Sequence, residues 1–158
     1  MRNVVVTLLP TRRPTGRRAQ RGQALVEFSL AVIPFLVLLM AVFDLGRGIY
    51  MMNGTAEAAR AITRVTIVHP RDGSGNLGLS TQTTSVIATQ RSLIPGLTIA
   101  AATDITCVDE NNAVIADTDC RPDHFIKVRV TAPFSPITPF VSAFGSHTFE
   151  STSRMQIP

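Results

Sequence analysis

Glu27 is the residue in this sequence that most needs an explanation. It is the only ionisable group in the run ALVEFSLAVIPFLVLLMAVF, residues 24–43. A carboxylate with no partner is costly in so apolar a setting, which makes it a functional candidate by default. Cys107 and Cys120 form the next constellation, 13 positions apart. They could share a metal or a disulfide. Only His124 lies near enough to join a metal set, and no second ligand pair at zinc spacing follows, so a disulfide is the favoured reading. Asp117, Asp119 and Asp123 could present alternating oxygens to calcium. The glycine and the terminal glutamate of a calcium loop are both missing, which favours a solvated acidic turn. His69, His124 and His147 are scattered at no metal-binding spacing. No Gly-x-Ser-x-Gly, phosphate loop or dinucleotide fingerprint appears. The expectation is a protein that is not an enzyme and uses no cofactor or metal.

The element that must position Glu27 is the apolar run itself. Twenty residues at ~1.5 Å each span ~30 Å as a helix, the thickness of a bilayer's hydrocarbon core. A chain of 158 residues has too little other apolar material to wrap a cylinder of that length. The run is therefore read as a transmembrane span. Charge gives its orientation. Residues 1–22 carry six arginines and no acid, whereas the remainder holds nine basic and eleven acidic residues. The net charge of +4 thus resides in a basic leader that stays cytoplasmic, with residues beyond about 45 outside. No later stretch interleaves clustered cations with aromatics, so nucleic acid is not an expected partner. A cleaved secretory signal competes with this reading. The run is longer than a usual signal core, however, and Met40-Ala41-Val42-Phe43-Asp44 has no small-x-small pair for a signal peptidase. An extracytoplasmic domain also suits a cysteine pair, because that compartment is oxidising. Pro34 removes one backbone hydrogen bond inside the span, a loss membrane helices tolerate.

The sharpest motif is Gly22-Gln23-Ala24-Leu25-Val26-Glu27-Phe28, with glycine after the basic leader and glutamate five residues on. Downstream come Asp44, Gly46-Arg47 and Ala58-Ala59-Arg60. In that order, from about Arg18 to Arg64, the stretch resembles the TadE-like pseudopilins of the tight-adherence (Flp) type IV pilus system. The resemblance implies a prepilin-type cut between Gly22 and Gln23 by a prepilin peptidase. Gln23 would then carry a new α-ammonium and Glu27 would be mature residue five. In such families that glutamate pairs with a neighbouring subunit's amino terminus, so Glu27 and Phe28 are implied to serve assembly. The implied protein is a minor pilin acting in pilus assembly and cell adhesion, anchored in the bacterial inner membrane. Its partners would be other pilin-like subunits and the assembly machinery. An uncleaved, membrane-anchored binding module that presents its outer domain to a ligand is the alternative.

Beyond the span the helical pattern continues, with Leu45, Ile49, Met52, Ala56, Ala59 and Thr63 recurring at steps of three or four as a packing seam. The cluster from His69 to Asn76 ends it. A short helix is expected near 80–94, with Val86, Ile87, Leu93 and Ile94 as its apolar members and Pro95-Gly96 as its stop. Alternation predicts a strand through Leu97, Ile99, Ala101, Thr103, Ile105 and Cys107, a second through Ile126, Val128 and Val130, and a last at His147–Ile157. Pro133, Pro136 and Pro139 predict an irregular surface excursion over 133–145. The expected class is α+β and pilin-like: a basic leader over 1–22, a transmembrane and extended helix over 23–68, and an extracytoplasmic domain with an antiparallel sheet over 69–158.

Overall fold

A computed structural model describes residues 17–138 and 145–158, with side chains from Gly22 onward. Most of the basic leader, and residues 139–144 with Pro139, lie outside the described residues. The elements are α1 (Arg17–Val68), α2 (Thr81–Leu93), a single turn α3 (Ala101–Asp104), β1 (Ile105–Val108), β2 (Val114–Ile115), a 3-10 turn (Asp117–Asp119), β3 (Phe125–Phe134) and β4 (His147–Gln156). The chain divides into two compact units, Met1–Leu39 and Met40–Pro158. The fold is α+β: a long N-terminal apolar helix, then a small domain with a short helix and an antiparallel sheet.

In the first unit α1 runs through Pro34 without interruption. Its apolar side chains, among them Leu25, Phe28, Leu30 and Ile33, face outward in every direction. Its most apolar eighteen-residue window has a mean hydropathy of 2.5, and none of that window is buried. A helix that is apolar all round needs an apolar surrounding. Among the described residues, α1 is the one helix long and apolar enough to cross a membrane.

The second unit folds around a four-stranded sheet in the order β2-β1-β3-β4. Alternation along β3 buries Ile126, Val128, Val130 and Ala132 completely. Each of the isoleucine and valine side chains contributes roughly 1.5–3 kcal/mol relative to exposure. The same core includes Met51, Ala58, Ala59 and Ile62 of α1, together with Ile87 of α2 and Ile94 just beyond it. Ser80 caps α2, its hydroxyl accepting from the Thr83 N–H at 3.2 Å. Gly54 of α1 lets Ile94 close in, since a Cβ there would lie 3.2 Å from two Ile94 side-chain carbons. Gly78 is held in the left-handed region at φ +71°, where a Cβ would also meet Ile105 at 2.9 Å.

Four expectations need correction. The buried face of α1 is Asp44, Met51, Thr55, Ala58, Ala59, Ile62, Thr63 and Thr66. Leu45, Ile49 and Met52, predicted to pack, point outward. Leu93, expected among the apolar contacts of α2, is exposed as well. The strand predicted over 97–107 is broken. An unbroken strand would set Ala102 against Thr131, but Thr98 pairs there and Ile105 pairs with Val128, the surplus residues being taken up by α3. That turn is favoured by Asp104, whose carboxylate accepts from the Ala100 N–H at 2.7 Å. Lastly, Pro133 lies inside β3, opposite Thr148. Thr131 exchanges both its backbone hydrogen bonds with Thr98, so Pro133, two residues on, turns its nitrogen to the same side, past the last paired residue. No ladder bond is lost there. Nor is the segment after it a plain surface excursion, because Pro136 and Thr138 are buried.

Cys107 and Cys120 are joined in a disulfide, with their Cα atoms 5.9 Å apart. The bridge ties the middle of the sheet to the turn that leads into β3. Closing a loop of this length stabilises a fold by ~3 kcal/mol, much of what a small domain has. Reduction of the full chain in detergent is therefore expected to lower its melting temperature by several degrees. An unchanged melting curve with both thiols demonstrably free would contradict this.

Candidate functional sites on the long helix

Two sites on α1 draw on the stretch singled out by sequence. In the first unit Gly22 lies within α1, and a Cβ on it would meet nothing within 4 Å. One turn on, Gln23 Nε2 donates to Glu27 Oε1 at 3.0 Å. The helix thus brings residue 23 and Glu27 together, because positions four apart share a face. Phe28 is exposed beside them.

The second site lies in the second unit and centres on Asp44. This aspartate directly follows the apolar run and is only 5% exposed. Its Oδ2 accepts from the Ile137 N–H at 2.9 Å, the Thr138 N–H at 2.7 Å and the Thr138 hydroxyl at 2.6 Å. Its Oδ1 accepts from Arg47 Nη1 and from the Ile137 N–H, both at 3.1 Å. The side chain therefore clasps the segment between β3 and β4 to the helix, over a separation of 94 residues for Thr138. Arg47 also stacks on Phe134, its guanidinium carbon 5.5 Å from the ring centroid. The Thr138 hydroxyl and then its N–H hold the Asp44 carboxyl at about 2, below its ordinary 3.8. Burial opposes them, and the Ile137 N–H and the Arg47 charge assist.

The resemblance drawn from the sequence includes Asp44 and Arg47 but not their work. A lone acid at the end of an apolar run was the available signal. Its donors, Ile137 and Thr138, were hidden in a segment that the prolines mark as irregular. Asp117 and Asp119, weighed with Asp123 as a calcium set, lie in the 3-10 turn before β3. Asp117 lends its backbone carbonyl to Arg71, which also donates to the Gly75 carbonyl at 2.8 Å. Among the described residues no three His, Cys, Asp or Glu side chains converge.

Residues 22–64 match the family model described as TadE-like protein, the stretch that contains Glu27 and Asp44. No curated protein and no solved structure matches the chain. The family match points to a minor-pilin-like protein associated with a Tad pilus, and the apolar helix to single-pass membrane anchoring.

The Asp44 clasp gives a signed pH dependence. A carboxyl that titrates lower in the folded chain than in the unfolded one stabilises the fold fully above its unfolded value, 3.8, and loses that contribution as pH falls toward about 2. Asp44→Asn is expected to melt below the wild-type chain in detergent at neutral pH, with the gap closing between pH 3.8 and about 2. A gap that stays constant across that window would show that the charge is not what holds the clasp.

Proposed function

We propose that this chain is a non-enzymatic TadE-like minor pilin, or pseudopilin, that acts in the assembly of a tight-adherence type IV pilus. The observation that carries this reading is the placement of Glu27. It sits on an unpacked apolar helix, on one face with residue 23, within the stretch matched to the family.

In this proposal residues 1–22 are a cytoplasmic leader removed by a prepilin peptidase after Gly22, and residues 23–68 form the transmembrane and extended helix. The span crosses the bacterial inner membrane once, and residues 69–158 form the extracytoplasmic domain. Lipid excludes water from the neighbourhood of Glu27, so an ammonium from an adjacent subunit is attracted far more strongly there than in solution. That attraction supplies both a reason for the acid and a rule for subunit register. Its cost when unpaired explains why it is used only where a partner arrives.

Replacing Glu27 by Ala makes the helix more apolar. Membrane insertion of Glu27→Ala is therefore expected to be normal by fractionation, whereas pili counted by electron microscopy are expected to be lost. Normal piliation in that variant would remove Glu27 from the mechanism and the assembly reading with it.

A further inference from the structure

The Asp44 clasp has a geometric consequence for the second unit. Ile137 donates its N–H to Asp44, so this part of the segment after β3 lies at the level of the residue that follows the apolar run. The Ile137 side chain is nonetheless 65% exposed. On α1 at the same level, Val42, Phe43 and Leu45 are exposed too. At 100° per residue these three point in three directions around the helix, and Asp44 points in the fourth, toward Ile137. Among the described residues, apolar side chains thus face outward on every side at this height. Above it an apolar groove of about 420 Å³ runs along Ala41, Leu45, Ile49 and Met52, walled by Phe134 and Phe149. Those two rings pack 5.6 Å apart.

From this arrangement we infer that the base of the extracytoplasmic domain is itself a membrane-docking surface: Ile137 and the lower end of the groove lie in the lipid interface. The inference rests on reading residues 24–43 as a transmembrane span. Two observations select lipid as the occupant. An encircling apolar surface suits a solvent, whereas a second protein helix covers only one stripe. Depth agrees. Interfacial layers add roughly 5–7 Å on each side of the hydrocarbon core, and Ile137 is tethered within one residue of the span's end. Arg47, 46% exposed, and Tyr50, 58% exposed, line one hollow with Phe134 and supply the basic and aromatic groups that belong at a headgroup boundary. The clasp gives the surface its other requirement. With its lone pairs occupied by donors from the chain itself, Asp44 brings no unsatisfied charge to the lipid.

The sequence contains no tryptophan, so a single introduced indole reports without background. The full chain would be reconstituted into vesicles of phosphatidylethanolamine and phosphatidylglycerol carrying a nitroxide either near the headgroup or deep in the acyl chain. Ile137→Trp and Leu45→Trp, both at exposed positions, are expected to be quenched more by the shallow nitroxide than by the deep one and to resist aqueous acrylamide. Val114→Trp is the solvent control. It is 73% exposed and lies by the Phe125 end of β3, nine residues or ~30 Å from Phe134, so acrylamide alone is expected to quench it. Phe35→Trp, inside the span, reports on the underlying reading and is expected to respond to the deep nitroxide. If Phe35→Trp responds while Ile137→Trp and Leu45→Trp remain open to acrylamide and untouched by either nitroxide, the docking surface is refuted and the span stands. Protection from both quenchers that depends on the protein-to-lipid ratio would identify a second copy as the occupant and also refute it. Loss of the Phe35→Trp response would overturn the membrane reading itself.

Discussion

A carboxylate placed just past the end of a twenty-residue apolar run can keep its charge in two ways: it can reach water, or it can collect donors from its own chain. Asp44 takes the second course, and the Ile137 and Thr138 amides, the Thr138 hydroxyl and Arg47 fill its acceptor sites. Because the donors come from the segment between the two longest strands, satisfying one charge also fixes where β3 gives way to the path toward β4. The Phe134 ring is then held over the helix, where it meets Arg47 and Phe149. Among the side-chain hydrogen bonds of the described residues, those from Asp44 to Thr138 span the greatest sequence separation, 94 residues, and they join the start of the second unit to its last connection.

The same logic explains why the face of α1 that packs is the one with small and polar residues. Gly54, Thr55, Ala58 and Ala59 allow Ile94 and the sheet to approach closely, and the buried Thr63 and Thr66 hydroxyls donate back to the Ala59 and Ile62 carbonyls. Below Ala56 the bulky apolar side chains Leu45, Ile49 and Met52 therefore lie off the packed stripe. A close-packed seam selects small volume instead. Those three bulky residues line the apolar groove beside Phe134 and Phe149.

Elsewhere the sequence was legible wherever a local rule decided the outcome. Ile126, Val128 and Val130 read as a strand because β-branched residues alternate with Lys127 and Arg129, and β3 follows them. The Pro95-Gly96 pair stops α2 as expected, and the structure adds Ser80 as its N-terminal cap. His147–Gln156 forms the last strand despite its polarity, its outer face carrying the Arg129–Glu150 ion pair at 2.8 Å. The disulfide was legible from compartment and count alone. What failed were features set by partners far along the chain: the α3 turn, which depends on Thr98 reaching Thr131, and Pro133, whose place in a strand depends on an unpaired edge.

The proposed function depends on one chemical event that the resemblance implies, the creation of an α-ammonium at residue 23, four positions before Glu27. N-terminal sequencing of the protein extracted from membranes of cells that contain a prepilin peptidase tests this most directly. The account predicts a mature chain beginning at Gln23, with residues 1–22 removed. A chain that retains its basic leader in pilus-forming cells would contradict the account and leave a membrane-anchored binding module in its place.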